Sequence, residues 1–295
     1  MANLKEIRTR IASVASTRQI TSAMKMVAAA KLKKAQDAVA NVKPYALKMR
    51  EITMNVASAS DGNSVYSDER ELRQVLIVVI TSNRGLCGAF NSNAIKEALL
   101  LAENKYSPEL ESGKIRYMAI GKKGYDVLKR RKVPIAKFDT TVVEKPTYEN
   151  VSEIAQTLID SFSSGVYDCI DVVYNEFVNA ATQKVVNKQF LPLLPPEENI
   201  SNKRKKAQQI DYIFEPDKEY IINELIPQSL RLMLFEALLD SIASEYGARM
   251  TSMHQATDNA STLIQDLTLQ YNKARQAAIT NEILEIVGGA EALKG

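Results

Sequence analysis

The sequence has few of the residues from which catalytic and metal sites are built. Its 295 residues include one histidine, His254, two cysteines, Cys87 and Cys169, and no tryptophan. Two cysteines outside any C-x-x-C pair are too few for a disulfide framework or a metal site, so we interpret both as reduced structural thiols. His254 falls in a helical segment and no pair of carboxylates stands out. We therefore predict neither a catalytic nor a metal site.

Long hydrophobic runs are also missing. The longest, such as residues 75–80, are far too short to span a bilayer. The N-terminus has no signal-peptide hydrophobic core, and its basic amphipathic start is too weak a sign of a transit peptide. We therefore expect a protein that is made and kept in the cytoplasm.

Glycine-rich phosphate loops are missing as well. Gly85 and Gly88 follow a predicted strand with G-x-x-G spacing, whereas a dinucleotide fold needs G-x-G-x-x-G. No G-x-x-x-x-G-K-[ST] motif occurs anywhere in the chain. Gly121 and Gly124 flank two lysines that could hold phosphate, but a strand-to-helix turn that needs glycine dihedrals is the favoured interpretation. We expect no nucleotide and no other cofactor.

The C-terminal end carries a long apolar seam. At alternating steps of three and four residues the seam comprises Leu232, Phe235, Leu239, Ile242, Tyr246, Arg249, Met253, Ala256, Ala260, Leu263, Leu267, Gln270, Ala274, Ala277, Asn281 and Leu284. Only three of these sixteen positions are polar, which predicts a helix that supercoils against a partner. Pro227 marks where this helix begins or bends, and we expect it to end at Gly288 and Gly289.

A second seam lies at the N-terminal end. It comprises Leu4, Ile7, Ile11, Val14, Arg18, Thr21, Lys25, Ala28, Leu32, Ala35, Val39 and Val42. Its polar middle coincides with an alternative apolar stripe of Ile20, Met24 and Val27, which predicts a local change of winding. We predict that residues 1–58 pair with residues 206–295 as an intramolecular antiparallel coiled coil. The alternative is two ordinary amphipathic helices packed on a domain.

The two ends of the chain have opposite charge. Residues 1–50 contain eleven Lys or Arg against two acidic residues, and residues 219–295 contain five against ten. The excess positive charge must face solvent or an acidic partner. Because the basic segment has no interleaved aromatics and no nucleic-acid motif, we expect an acidic protein surface rather than nucleic acid.

The middle of the chain, residues 70–205, alternates strand and helix patterns. Strands are predicted at 74–81, 115–120, 133–138 and 169–178, helices before 104, at 124–131 and at 149–163, and a closing segment at 182–193. This alternation predicts parallel β-α units in a Rossmann-like α/β domain. Without a phosphate loop, the residues alone favour a coiled-coil scaffold or nucleic-acid adaptor over a nucleotide-dependent enzyme.

Several stretches in a fixed order resemble the γ subunits of F-type ATP synthases over the whole length. These are residues 5–8 (KEIR), 11–14 (IASV), 23–29 (AMKMVAA), 84–88 (RGLCG), 215–217 (EPD), 256–259 (ATDN) and 271–276 (YNKARQ) before residues 279–280 (IT). The resemblance implies a non-catalytic central-stalk subunit whose paired helices form a shaft inside a ring of α and β subunits. The α/β domain would sit at the foot, beside the ε subunit and the c-ring.

The same resemblance assigns the type and place of the protein. Residues 196–212 contain no cysteine, so the redox segment of the chloroplast form is missing and a bacterial enzyme is implied. Such a subunit is a peripheral membrane protein at the cytoplasmic face of the inner membrane. It has no cofactor and no small-molecule substrate of its own.

Contact residues are implied only where the motifs match. Arg275 and Gln276 correspond to a polar catch on a β-subunit loop, and Thr280 belongs to the same coupling surface. Met24 corresponds to the residue beside the acidic lever loop of β, with Arg249 across the same region. For Met24, simple core packing is the alternative. The foot contacts to ε or the c-ring would be Tyr212 and Glu215, for which a surface turn is the alternative.

Overall fold

The computed structural model of the protein describes residues 4–58, 66, 70–193 and 218–292. Its elements are α1 (Leu4–Ser58), β1 (Val75–Ile80), α2 (Phe90–Lys105), α3 (Ser107–Glu111), β2 (Ile115–Ile120), α4 (Lys122–Arg130), β3 (Ile135–Asp139), α5 (Thr141–Glu144), α6 (Tyr148–Ser163), β4 (Cys169–Phe177), β5 (Gln183–Leu191) and α7 (Lys218–Ala292). Two compact units result, one of Met1–Ala29 with Arg249–Gly295 and the other of Ala30–Ala248. Helices α1 and α7 therefore contribute to both units.

The larger unit is built around a five-stranded sheet with the order β3-β2-β1-β4-β5. β1 pairs in parallel with β2 and β4, and β2 pairs in parallel with β3. All six residues of β1 are buried, as expected for a continuous β-branched strand covered on both faces. The Rossmann-like prediction is confirmed.

The closing segment forms the only antiparallel pairing of the described sheet. β5 runs back along β4 after a tight turn in which Asn179 and Thr182 exchange backbone hydrogen bonds. The segment is too short for a crossover helix, so its strand has to return antiparallel. The prediction from repeating β-α units therefore holds for four strands and ends at the fifth.

The terminal helices also form part of the larger unit. On α7, Ile226, Leu230, Leu234 and Leu238 are buried. Arg231 donates two hydrogen bonds to the Gln156 side chain of α6, so this stretch of α7 packs beside the sheet. Among the described residues, no helix is both long and apolar enough to cross a membrane.

One helix boundary differs from the prediction. α7 continues through Gly288 and Gly289 to Ala292, so the expected end at the glycine pair is wrong. A Cβ at either glycine would meet nothing within 4 Å. Glycine lowers helix stability by about 1 kcal/mol relative to alanine, which weakens a helix without ending it.

Candidate functional site

The smaller unit pairs the start of α1 with the second half of α7. The hydroxyl oxygens of Thr21 and Thr257 lie 2.9 Å apart, and Lys25 Nζ lies 3.3 Å from His254 Nδ1. Rising numbers on α1 therefore meet falling numbers on α7, which confirms the antiparallel pairing.

In its polar middle the α1 seam is buried at Thr21 and Ala28, although Arg18 is exposed and Lys25 half-buried. Thr21 is 9% exposed and Ala28 1%, whereas Ile20 and Val27 are more than half exposed. The predicted shift to the alternative stripe is therefore wrong. A buried threonine is tolerated because its hydroxyl can donate to Arg18 O at 3.0 Å or pair with Thr257.

The α7 seam has a different register from the predicted one beyond Met253. Met253, Ala260 and Leu267 are buried as expected. Leu263 and Gln270 are exposed, however, and the intermediate places are taken by Thr257, Ile264 and Tyr271. From Met253 the buried positions therefore follow at four residues and then three, whereas the prediction had three and then four. The predicted seam was wrong at every second position, such as Leu263 and Gln270.

The single histidine lies between two charged side chains. His254 Nδ1 is 3.3 Å from Lys25 Nζ and 3.4 Å from Asp258 Oδ2. Neutral Nδ1 can accept from the lysine, whereas a protonated Nδ1 can donate to the carboxylate, so the two contacts exclude each other. The site is a surface contact between helices and not a catalytic dyad.

The residues implied as coupling contacts fall into two groups. Met24 is half-buried on α1, and Arg249 is 8% exposed on α7. Arg275, Gln276 and Thr280 are exposed, and the Thr280 hydroxyl donates to Gln276 O at 3.0 Å. Arg249 and Arg275 are 26 residues apart on one helix, roughly 40 Å along its axis. Tyr212 and Glu215 lie outside the described residues.

The end of α7 lacks a helical partner within the part of the chain described. The pairing of Thr21 with Thr257 places Leu4, the first described residue of α1, opposite a residue near 274. Beyond that level the apolar side chains Ile279, Ile283, Leu284, Ile286 and Val287 are about half exposed or more. A helix surface with this much exposed apolar area is typical of a contact with another protein.

The usual ligand crevice of an α/β sheet is filled by the chain itself. In such sheets ligands bind at the carboxyl ends of the strands where the order reverses, here between β1 and β4. Ala248 of α7 packs there against Cys87 and Phe90, which follow β1. A Cβ on Gly247 would lie 3.1 Å from Ala180 O, beyond the end of β4. The helix α7 therefore packs where a ligand of such a sheet would usually lie.

The Gly121–Gly124 turn also has no room for phosphate. Gly121 has φ +103°, and a Cβ there would lie 2.1 Å from Thr81 O. The Gly121 N–H donates to Asp139 O, and the Lys122 N–H donates to Asn83 Oδ1. The Lys123 N–H donates to Ser82 O, and the Gly124 N–H donates to Thr81 Oγ1. Because the chain already occupies these donors, the prediction of a strand-to-helix turn is confirmed.

Neither cysteine forms a disulfide, and both are buried. Burial and, to a lesser extent, the nearby Asp171 together raise the pKa of Cys169 to about 11, so the group stays a thiol at neutral pH. Tyr106 donates to Asp171 Oδ2 at 2.6 Å, and burial together with that carboxylate strongly raises the tyrosine pKa. Among described residues, no group of three or more His, Cys, Asp or Glu side chains could hold a metal ion.

Comparisons with known proteins agree over nearly the whole chain. A sequence model of the family described as ATP synthase matches residues 3–293. The chain is 55% identical over 298 residues to the ATP synthase gamma chain of Flavobacterium psychrophilum, with all of both chains covered. It is 48% identical over 295 residues to the ATP synthase gamma chain of Cytophaga hutchinsonii, with 99% of each covered.

Solved structures show the same fold. A chain in the central stalk and c-ring of Tetrahymena thermophila mitochondrial ATP synthase is 26% identical, with a TM-score of 0.57 over 80% of this chain and 99% of that one. A rotor chain of Euglena gracilis mitochondrial ATP synthase is 22% identical, with a TM-score of 0.63 over 94% and 98%.

Proposed function

The chain belongs to the ATP synthase gamma-chain family, and from that premise we propose that it is the central-stalk rotor subunit of a proton-translocating F-type ATP synthase. In this role it couples c-ring rotation to conformational change at the catalytic β subunits, and so regulates ATPase activity and proton flow. It is a non-catalytic subunit whose partners are the α and β subunits, the ε subunit and the c-ring.

The observation that carries the proposal is the far end of α7. Beyond Arg275 and Gln276 its exposed surface combines large apolar side chains with Glu282, Glu285 and Glu291, the apolar ones being Ile279, Ile283, Leu284, Ile286 and Val287. A rotor has to contact its surroundings without a fixed, tight anchor, and a single helix that exposes apolar side chains is suited to such contacts. The contact of Ala248 with Cys87 and Phe90 in the crevice between β1 and β4, where ligands of such sheets usually bind, supports the non-catalytic role.

Coupling is proposed to act through differential contacts. Arg275, Gln276 and Thr280 would contact a β-subunit loop, and their exposure leaves them available. Met24 and Arg249 would act at a second level of the same unit. When a face of the helices binds one β-subunit conformation better than another, the population of the better-bound conformation rises. This shift is the physical basis of coupling.

The foot contacts and the location are proposed from the family alone. Tyr212 and Glu215 would contact ε or the c-ring. Attachment to the cytoplasmic face of the inner membrane would come through the complex, in keeping with a chain whose described helices do not span a membrane. The absence of a cysteine from residues 196–212 supports the bacterial type.

A test of subunit composition decides the proposal. We would tag the chain in its own cell, release complexes gently from membranes, and weigh them by native mass spectrometry. Two larger nucleotide-binding subunits in several copies for each copy of this chain are expected. Recovery of the chain alone, or with nucleic acid, would overturn the rotor role in favour of a free coiled-coil adaptor.

A further inference from the structure

We propose that the outer edge of the sheet at β3 binds an acidic protein segment in extended conformation, which adds to the sheet as a further strand. β3 is the first strand of the sheet order and pairs only with β2 among the described strands. Its residues Ala136, Lys137 and Phe138 are exposed. An open strand edge presents N–H and C=O groups with which a second chain can pair.

An open groove of about 430 Å³ lies beside this edge, between α4 and β3. Its floor is the ring of Tyr125 stacked on the ring of Phe138, with 4.2 Å between centroids and 22° between planes. Phe138 is 49% exposed despite this stacking. An added strand would cover the exposed ring with every second side chain, because strand side chains alternate between the two faces of a sheet.

The charge around the groove identifies the partner's chemistry. Residues 122–137 contain seven Lys or Arg and one acidic residue. Lys129, Lys132 and Lys137 line the groove, and no described carboxylate lies within ion-pair distance of them. Lys129 instead lies over the Tyr125 ring, 5.5 Å from its centroid. This basic field attracts an acidic partner and steers its approach.

The opposite edge of the sheet provides an internal contrast. There Lys188 of β5 lies 3.9 Å from the Glu176 carboxylate of β4. A lysine on an edge strand also discourages aggregation. The β5 edge carries two lysines, Lys184 and Lys188, whereas residues 122–137 beside the β3 edge hold seven Lys or Arg, and this larger positive charge favours an acidic partner.

The groove favours a polypeptide over nucleic acid. Single-stranded nucleic acids bind by stacking bases on open aromatic faces. Tyr125 and Phe138 already use one face of each ring on each other. The open backbone edge beside them offers pairing that only another polypeptide strand can complete.

The test uses the full chain and a fluorescent peptide of about seven residues that alternates glutamate and valine. We expect saturable binding by fluorescence anisotropy. The double variant Lys132→Glu with Lys137→Glu should weaken it at least about tenfold, because two attractive charges become repulsive. The matched control changes Lys96→Glu on α2 and Lys184→Glu on β5, both exposed, and should bind like the parent chain.

Hydrogen exchange separates strand addition from charge attraction. The bound peptide should slow amide exchange at residues 135–139, whereas a peptide of equal charge with prolines in place of the valines should not. Absence of binding, equal weakening in the control variant, or unprotected β3 amides would each overturn the proposal. So would lysine-dependent binding of single-stranded DNA or phosphatidylglycerol vesicles in place of the peptide.

Discussion

At the scale of single residues, Asp240 is the carboxylate whose pKa departs most from its usual value among the described residues of the larger unit. It is 3% exposed on α7. Its pKa is raised to about 6, chiefly by burial. Lys43 of α1 and Lys188 of β5 oppose the rise, and Glu236 of α7 and Glu176 of β4 contribute to it. The folded protein thus binds this proton more tightly than the unfolded chain does.

The sign of the pH effect follows from that shift. Between about pH 6 and pH 4 the free energy of unfolding rises as the pH falls, because the folded state takes up the Asp240 proton first. Above about pH 6 Asp240 is charged in both states, and its full destabilising effect is present. Asp240→Asn should therefore raise the free energy of unfolding by about 3 kcal/mol at pH 8, with the gain shrinking toward pH 4. Urea unfolding at both pH values measures this.

The exposed Asp37→Asn supplies the control, since Asp37 is 59% exposed in its pair with Lys33. It should show no such pH-dependent gain. A gain for Asp240→Asn that is equal at pH 4 and pH 8 would contradict the assigned pKa shift.

Arg275 and Gln276 test the proposed catch on the β subunit. Both side chains are exposed, so replacing the pair by alanine should leave folding of the chain unchanged. Loss of a charge-assisted contact should lower ATP turnover of the assembled complex about tenfold. Steady-state hydrolysis measures this, with the exposed neighbour Lys273→Ala as control. Unchanged turnover in the double variant would argue against the catch.

At the scale of elements, Gly247 shows why the longest helix contains a glycine. Its missing side chain allows α7 to approach the backbone of Ala180. Ala248 then reaches Cys87 and Phe90 and fills the crevice of the sheet. The glycine thus lowers the intrinsic stability of the helix and allows its packing on the domain.

Substitution at Gly247 and at the far end of α7 should have opposite effects. Gly247→Leu places a Cβ 3.1 Å from Ala180 O and adds further atoms, so it should lower the free energy of unfolding by about 1–3 kcal/mol. Gly289→Ala, with open space around it, should be neutral or stabilising by up to about 1 kcal/mol. Thermal unfolding compares the two. Equal stability of both variants would show that the contact with Ala180 is unimportant.

The seam of α7 shows what periodicity leaves open. Steps of three then four and of four then three have the same average spacing, so both Leu263 and Ile264 fit an apolar stripe. The chain buries Ile264 further than Leu263 because the fixed contact of Thr257 with Thr21 sets the face that meets α1. The existence of the seam was predictable, but its register depended on the partner helix.

At the scale of the whole molecule, Met24 tests coupling within the assembled enzyme. Met24 is half-buried and precedes Lys25, which contacts His254. Met24→Lys adds a positive charge at a surface that is proposed to meet an acidic loop of the β subunit. The lysine and that loop would therefore bind too strongly in one rotational state. Proton pumping in membrane vesicles should therefore fall several-fold more than ATP hydrolysis.

Met24→Leu, which keeps the size and apolar character of the side chain, should leave both activities unchanged. A proportional loss of pumping and hydrolysis in Met24→Lys would indicate destabilisation rather than altered coupling.

The sequence by itself determined the main elements and the family. A buried β-branched run defines β1, the repeated strand and helix patterns define the Rossmann-like domain, and apolar spacing defines two paired helices, because burial and periodicity are local properties of the chain. Only the tertiary structure decided the seam register, the filled crevice at Gly247 and the unneutralised edge at β3. Each of these depends on which distant residues come into contact, and the local pattern holds no information on that.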